Sequence, residues 1–230
     1  MWVDIFLASI WGGFVALDTT ALLQIMISRP LVSCSIVGLL LGNFPLGFLI
    51  GILSELFYIS ELPVGAAKFA ESNVGATAAA TIAILVTEQL PTRPYMVIAS
   101  ALILTVMVSS LGGRLVLLMR TINGRIYEKM AYKESLAPRH INAAQVWGIV
   151  MAFVLGFISV FVSSAAFSLI LLNLLKFVPD KLDAVFQPAT GAALAVGCVF
   201  LAQHFWKQNS KKGNFVIGLG IGALLFFVLM

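Results

Sequence analysis

The chain has 230 residues, of which 60% are hydrophobic and only 10% are charged, and its formal net charge is +4. A soluble domain carries about 25% charged residues, so this composition excludes an ordinary soluble globule and indicates an integral membrane protein. The basic excess lies beside apolar segments, which is typical of topology signals and not of a nucleic-acid-binding surface.

The first apolar run covers residues 5–17 and extends at lower hydrophobicity to residue 27. Asp4 stands where a signal peptide would carry Lys or Arg, so we expect this segment to be retained in the membrane. Two shorter runs follow, 31–41 and 44–54, separated by Gly42 and Asn43. Each is well under the about 20 residues that a spanning helix needs, which predicts broken or re-entrant helices. Their spaced glycines favour close helix packing.

Five longer segments complete the chain: 74–87, 95–113, 141–175, 185–205 and 215–230. The third of these would measure about 52 Å as one helix, more than a hydrocarbon core of about 30 Å, so it either tilts, kinks or divides into two short helices. We predict an all-α, polytopic transmembrane protein with broken or re-entrant helices, forming a single domain over residues 1–230.

A basic segment interrupts the apolar pattern at about residues 114–140, and a second lies at 207–212. Basic residues concentrate in cytoplasmic loops of membrane proteins, so we expect both segments on the cytoplasmic side. Two spans separate them, which is consistent with that assignment and predicts an external C-terminus.

Polar and ionisable residues concentrate in the broken region, at about 18–73. A charge at the membrane centre costs at least about 2.5–3.5 kcal/mol, so such residues indicate function, and interrupted helices mark the binding sites of transporters. Carboxylates and amides hydrogen-bond sugar hydroxyls well. The candidate sugar-binding residues are Asp18, Gln24, Glu55, Glu71 and Asn73. The same groups suit a cation or a proton equally well.

Glu55 also has a structural interpretation, in which Arg29 or backbone donors at a helix break satisfy its charge. Arg29 precedes Pro30 at a predicted helix start, so we expect it to act as an anchor or in an ion pair. Pro63 and Gly65 break the chain after Glu55. We hypothesise that Arg29, Pro30, Pro63 and Gly65 contribute to a structural ion pair or gate, and that residues 30–60 form its mobile part.

Catalytic and metal-binding signals are weak. His140 and His204 have no acidic or Cys partner at ligand spacing, and the sequence contains no nucleophile elbow, phosphate-binding loop or zinc motif. We therefore expect no catalytic residue, no metal and no cofactor.

The stretch 17–73 resembles the membrane subunit IIC of the mannose/fructose/sorbose family of the bacterial phosphoenolpyruvate-dependent sugar phosphotransferase system. Several features in one order carry the resemblance: Gln24 upstream of "SRPLV" (28–32), "GLLLGN" (38–43), the glycines Gly47 and Gly51, and Glu55 ten residues before "GAA" (65–67). The matching sugar-binding positions of the family are Glu55, Glu71 and Gln24.

This resemblance implies a multi-pass subunit of the bacterial cytoplasmic (inner) membrane that binds sugar and carries it inward by an elevator-like movement. It implies a membrane partner, subunit IID, in an oligomer of IIC–IID units surrounded by lipid. Soluble phosphocarriers IIA and IIB would supply the phosphoryl group, with the phosphorylated histidine on IIB. The chain would then be no enzyme by itself, and it would bind no nucleic acid.

Two alternatives remain open from the sequence. In an ion-coupled secondary transporter of a small polar solute, the same carboxylates would bind protons or Na⁺. In a non-transporting assembly subunit, the buried acids would have structural roles alone.

Overall fold

The computed structural model describes residues 1–22, 24–59, 70–131, 138–207 and 212–229. This part of the chain is helical, which confirms the all-α prediction. Its α-helices are α1 Trp2–Thr20, α2 Pro30–Leu40, α3 Phe44–Tyr58, α4 Ser72–Gln89, α5 Pro94–Ala131, α6 Pro138–Lys176, α7 Pro188–Lys207 and α8 Lys212–Leu229, with a 3-10 helix, Asp180–Phe186, before α7.

The long apolar segments identify a multi-pass membrane protein. Within the described ranges, four helical segments are long and apolar enough to span a bilayer: Trp2–Thr20, Pro94–Glu128, Arg139–Lys176 and Asp180–Gln203. The helix α6 has 39 residues, so the sequence run 141–175 forms one helix and not two. At 1.5 Å per residue α6 is about 58 Å long, well beyond a hydrocarbon core of about 30 Å.

The two short apolar runs form an antiparallel hairpin of α2 and α3. These helices have 11 and 15 residues and are about 16 and 22 Å long, so neither crosses a bilayer unaided. The chain reverses at Gly42, whose φ of +77° is in the left-handed region that favours glycine. The Asn43 side chain then accepts a hydrogen bond from the Leu46 amide and caps α3.

Glycines hold the two arms of this hairpin together. A Cβ on Gly47 would lie 2.5 Å from the Cys34 carbonyl oxygen, and one on Gly51 would lie 2.9 Å from that of Pro30. Larger side chains would separate the helices, so the spaced glycines act in close packing, as their pattern predicted.

The centre of the fold is α4, which contacts α1, α2, α3, α5 and α6. Every residue from Val74 to Val86 is buried. Most of these side chains are small, which lets several helices approach one axis. At Gly75 the approach is closest, since a Cβ there would lie 2.1 Å from Ser109 Oγ on α5.

The structure corrects the prediction made for the basic segment 114–140. This segment was expected to be a loop, but α5 continues through its first half and ends at Ala131. The residues from Arg114 onward include Leu, Met, Arg and Ile and no proline, so nothing interrupts the helix that begins at Pro94. Its position on the cytoplasmic side stays a prediction.

The 3-10 helix contacts the N-terminal end of α5, which is the end away from the basic segment. Asp183 Oδ1 accepts a hydrogen bond from the Met96 amide over 2.8 Å, and Asp180 pairs with Arg93. Asp183 therefore supplies, from distant sequence, the cap that α5 lacks locally.

Candidate functional site

Four helix ends meet at one end of the bundle, which we call the polar end. It comprises the last turn of α1, the first turn of α2, the second half of α3 and the first turn of α4. Three contacts define it: Asp18 with Ser28, Arg29 with Glu55 and Thr19 with Asn73. The fold thus brings together acids and amides that are far apart in sequence, as a binding site for a polar solute requires.

Asp18 is a buried carboxylate, 3% exposed, that organises the link between α1 and α2. Its Oδ1 accepts a hydrogen bond from the Ile25 amide at 2.8 Å and its Oδ2 one from the Ser28 amide at 3.0 Å. Both oxygens are therefore occupied by backbone donors, which explains why α1 ends at Thr20 and does not continue to residue 27. In this conformation Asp18 shapes the loop that carries Gln24.

Gln24 lies on the exposed side of this loop. Its φ is +51° and that of Met26 is +68°, conformations that non-glycine residues adopt only when their surroundings impose them. The amides held by Asp18 provide that constraint. The Gln24 side chain is thus presented outward, at the surface of the polar end.

Glu55 reaches the first turn of α2. Its Oε1 lies 3.2 Å from Arg29 Nε, and its Oε2 accepts a hydrogen bond from the Leu31 amide at 3.3 Å. The helix dipole adds to the attraction between this carboxylate and the helix start. The side chains of Arg29 and Glu55 keep 30% and 19% exposure, so the pair is accessible and its contacts can be exchanged for others.

Asn73 lies in the first turn of α4 and belongs to a string of polar groups between helices. Its Nδ2 donates to Thr19 Oγ1 at 3.0 Å, and its carbonyl accepts from Thr77 Oγ1 at 2.7 Å. Thr77 also hydrogen-bonds Ser33 Oγ at 2.5 Å, and Trp11 Nε1 donates to the Ser33 carbonyl. This string fixes α2 and α1 against α4.

Glu71 immediately precedes α4 and is 4% exposed. Its backbone amide donates to the Ser109 carbonyl at 2.9 Å, and its side chain lies against Gly112, where a Cβ would come within 2.8 Å of Glu71 Cβ. Neither carboxyl oxygen has a hydrogen-bond partner within the described ranges. The polar groups that interact with it electrostatically are the Thr19 hydroxyl and the Arg120 guanidinium.

The Thr19 hydroxyl is not a free donor for Glu71. It has one proton, which it donates to the Val15 carbonyl at 2.9 Å. Glu71 therefore differs from Asp18 and Glu55, both of which accept hydrogen bonds.

A small cavity adjoins Glu71 where α1, α4, α5 and α6 meet. Its volume is about 20 Å³, and its polar lining groups besides Glu71 are Thr20 and Ser159. This volume accommodates one water molecule and is far too small for a monosaccharide. A sugar can reach Glu71 only if these helices separate.

The polar end lies at the edge of the apolar part of α5 and not at its centre. Glu71 contacts Ser109 and Gly112, and the next turn of α5 carries Arg114, which is exposed. Glu71 therefore lies beside the start of the charged part of α5.

Two predicted gate residues, Pro63 and Gly65, lie outside the described residues, as does residue 60 at the end of the predicted gate. Arg29 and Pro30 start α2, with Pro30 as the first helical residue after the Arg29 cap position. Proline is favoured there because its missing N–H is not needed.

Sequence reasoning missed three hydroxyl groups: Thr19 and Thr20 at the polar end, and Ser159 on α6 in the adjoining cavity. Thr19 and Thr20 directly follow Asp18 at the end of an apolar run, which is a usable signal. Ser159 has none, because it is one of several serines along α6 and only packing selects it.

Comparison with known proteins gives one family. The profile of the family described as "PTS system sorbose-specific iic component" matches residues 2–230. A "PTS system sorbose-specific EIIC component" of Klebsiella pneumoniae is 26% identical over 209 residues, which cover 88% of this chain and 73% of that protein. A protein of the same description from Lacticaseibacillus casei is 33% identical over 87 residues, or 38% of this chain and 31% of that protein.

Two solved structures share the fold. One, described as "Structure of membrane protein", has a TM-score of 0.60 at 18% identity. The other, a complex of the mannose transporter ManYZ with microcin E492, has a TM-score of 0.51 at 20% identity. Both comparisons cover 99% of this chain and 93% of the other. With the profile match over nearly its whole length, the chain belongs to the sorbose-specific IIC component family of the sugar phosphotransferase system.

Proposed function

We propose that the chain is the sugar-translocating subunit of a phosphotransferase-system permease in the bacterial inner membrane. In this role it binds sugar within the membrane domain and carries it inward, where a soluble IIB subunit, recharged by IIA, phosphorylates it. The membrane partner is subunit IID. Family membership supports the transport role, and the ManYZ complex among the structural relatives is consistent with a partnered assembly.

One observation carries the proposal: polar side chains converge at the base of a helical hairpin too short to cross the bilayer. A short hairpin with polar groups at its base is the arrangement in which discontinuous helices bind solutes. The proposed sugar ligands are Asp18, Gln24, Glu55, Glu71 and Asn73.

These ligands have different tasks. Glu55 is partly exposed beside Arg29, so a sugar hydroxyl can replace one of its present contacts at small cost. Gln24 faces outward on its loop and can close over a sugar from that side. Glu71 and Asn73 start α4 and become available when the junction around the small cavity opens.

The gate is the hairpin moving as one body. Its arms are joined by glycine contacts that leave no room between them, so it swings as a unit about its base. The pair Arg29–Glu55 lies at that base and holds the closed position.

Uptake measurements test the proposal. The chain is expressed with its IID partner and soluble subunits in cells that lack other routes for sorbose and mannose, and phosphoenolpyruvate-dependent accumulation of phosphorylated sugar is followed. Glu55→Gln is expected to reduce uptake by at least about tenfold, a loss of roughly 1.4 kcal/mol in ligand interaction, with normal amounts in the membrane.

A second variant separates sugar binding from structural pairing. If Glu55 only neutralises Arg29, the double variant Arg29→Met with Glu55→Gln restores uptake, and the assignment of Glu55 to sugar is wrong. Uptake driven by an imposed ion gradient without phosphoenolpyruvate would instead favour a secondary transporter. Normal uptake in Glu55→Gln would remove Glu55 from the site.

A further inference from the structure

Within the described ranges, the buried carboxyl group of Glu71 lacks the hydrogen bonds that Asp18 and Glu55 accept. It is 4% exposed, neither oxygen has a hydrogen-bond partner in the described part of the chain, and it precedes α4, outside the four long apolar helices. An ionised carboxylate without donors in an enclosed site is strongly disfavoured, and such a group neutralises itself.

The described surroundings of Glu71 donate no hydrogen bond to its carboxyl oxygens. Arg120 on α5 is the cation that interacts with it. Asp18, the acid in the last turn of α1, accepts hydrogen bonds from the Ile25 and Ser28 amides. The α6 residues that line the cavity, Ala152, Leu155, Gly156 and Ser159, carry no charge, and Thr19 has already donated its proton.

The cavity beside Glu71 can hold an acceptor for its proton. Its volume of about 20 Å³ admits one water molecule. The Thr20 hydroxyl donates to the Ala16 carbonyl, which leaves its oxygen lone pairs available as acceptors for that water or for a protonated carboxyl group. A carboxyl proton therefore has an acceptor nearby when Glu71 is neutral.

We infer that Glu71 is a proton-binding site linked to sugar binding: it carries a proton in the closed, empty protein and releases it when sugar binds. No bond other than O–H is broken, and the proton passes to water. The reason for release is that an opened site offers sugar hydroxyls as donors, and a carboxylate is a better acceptor than a carboxylic acid. This inference rests on the proposed sugar-binding function.

The sign of the pH dependence follows from proton counting. The empty protein holds one more proton than the loaded protein, so raising the pH favours loading. Sugar affinity increases by up to about tenfold per pH unit while Glu71 of the empty protein is protonated, and becomes constant above its titration. Lowering the pH weakens binding by the same factor.

Equilibrium binding of radiolabelled sorbose and mannose to the purified IIC–IID complex, measured from mildly acid to mildly alkaline pH, tests the inference. We expect the pH-dependent rise in the wild type and a flat profile in Glu71→Gln, which cannot exchange the proton. Glu88→Gln is the matched control, because Glu88 is exposed in the last turn of α4, and it is expected to keep the wild-type profile.

The outcomes are distinguishable. A flat profile in the wild type, or an unchanged rise in Glu71→Gln, overturns the proton site while leaving sugar binding intact. Absence of binding of either sugar at every pH contradicts the proposed function itself for these sugars. Infrared spectra of the empty complex give an independent reading, because a protonated carboxyl band that disappears in Glu71→Gln supports the site and its absence opposes it.

Discussion

Two glutamates differ in their surroundings: Glu55 lies at the base of the α2–α3 hairpin, and Glu71 lies at the junction of α1, α4, α5 and α6. At the base, Glu55 is partly exposed, pairs with Arg29 and accepts the Leu31 amide. At the junction, Glu71 is 4% exposed and accepts no hydrogen bond from the described residues. The Glu55 carboxylate thus stabilises the closed structure by bonds to α2, whereas the Glu71 carboxyl oxygens accept no bond from the described residues.

This difference shows why a buried acid cannot be assigned a role from its residue type. Glu55 is held by a cation and a helix start, so its charge is compensated before any ligand arrives. Glu71 packs against Gly112, interacts with the Arg120 guanidinium and accepts no hydrogen bond from the described residues, so burial disfavours its charged form. In the proposed site, a sugar would compete with Arg29 and the Leu31 amide at Glu55 and with the inferred proton at Glu71.

The largest loss of stability is expected at Asp18, the most fully satisfied acid of the polar end. Asp18→Ala leaves the Ile25 and Ser28 amides without their acceptor. Hydrogen bonds to charged groups contribute about 1.5–3 kcal/mol each, so the free energy of unfolding should fall by about 3 kcal/mol. Thermal unfolding of the detergent-purified protein measures this.

Asp4→Ala is the matched control, because the Asp4 side chain keeps 37% exposure and forms its ion pair with the N-terminal amino group, and its loss should stay below about 0.5 kcal/mol. Equal, small effects of the two substitutions would show that Asp18 does not organise the α1–α2 link.

A smaller loss of stability is expected for a substitution inside the α2–α3 hairpin. The added methyl group in Gly47→Ala meets the Cys34 carbonyl and the Gly38 backbone, so the arms must separate, at a cost of about 1–3 kcal/mol. Gly191→Ala on α7 meets nothing within 4 Å and serves as the control. If Gly47→Ala were as stable as this control and transported normally, the hairpin would not be a rigid unit.

The ion pair at the hairpin base is expected to contribute less to the free energy of unfolding. Arg29→Met removes one partner of Glu55 but leaves the Leu31 amide, and both side chains are partly exposed, so a loss of about 1 kcal/mol is expected. Salt should reduce the difference between wild type and variant. A loss that is several times larger and insensitive to salt would place the pair in an enclosed site.

The smallest effect on stability is expected at the junction. In the inferred protonated state, Glu71→Gln replaces a neutral carboxyl group by a neutral amide of nearly the same shape, so the free energy of unfolding at mildly acid pH should change by less than about 1 kcal/mol. Chemical denaturation of wild type and variant in parallel provides the comparison. A much larger stabilisation by Glu71→Gln would indicate that the wild-type group is ionised when buried.

Most of the fold could be predicted from the sequence. Apolar runs and the breaks at Pro30 and Gly42 correspond closely to helices α1 to α4 and to the start of α5, because solvation by lipid makes hydropathy a direct signal. The continuation of α5 to Ala131 was missed, since basic residues indicate a side of the membrane and do not by themselves end a helix. The cap that Asp183 gives α5 comes from distant sequence, which local patterns do not encode.

The clustering of the polar-end residues was easier to predict than the contacts that each one makes, and their role in binding stays a prediction. Asp18, Glu55, Glu71 and Asn73 come together at the polar end, as a cluster of polar residues around broken helices suggests. Which of them is paired depends on where helix ends meet. Only packing decides that Glu55 pairs with Arg29 and that Glu71 accepts no hydrogen bond from the residues that the structure describes.

The most direct test of the account is a cryo-electron-microscopy map of the IIC–IID complex with saturating sorbose. We predict sugar density within hydrogen-bonding distance of the carboxylates of both Glu55 and Glu71, with the junction of α1, α4, α5 and α6 opened. Sugar density elsewhere, with Glu71 still enclosed beside Gly112 and Glu55 still paired with Arg29, would contradict it.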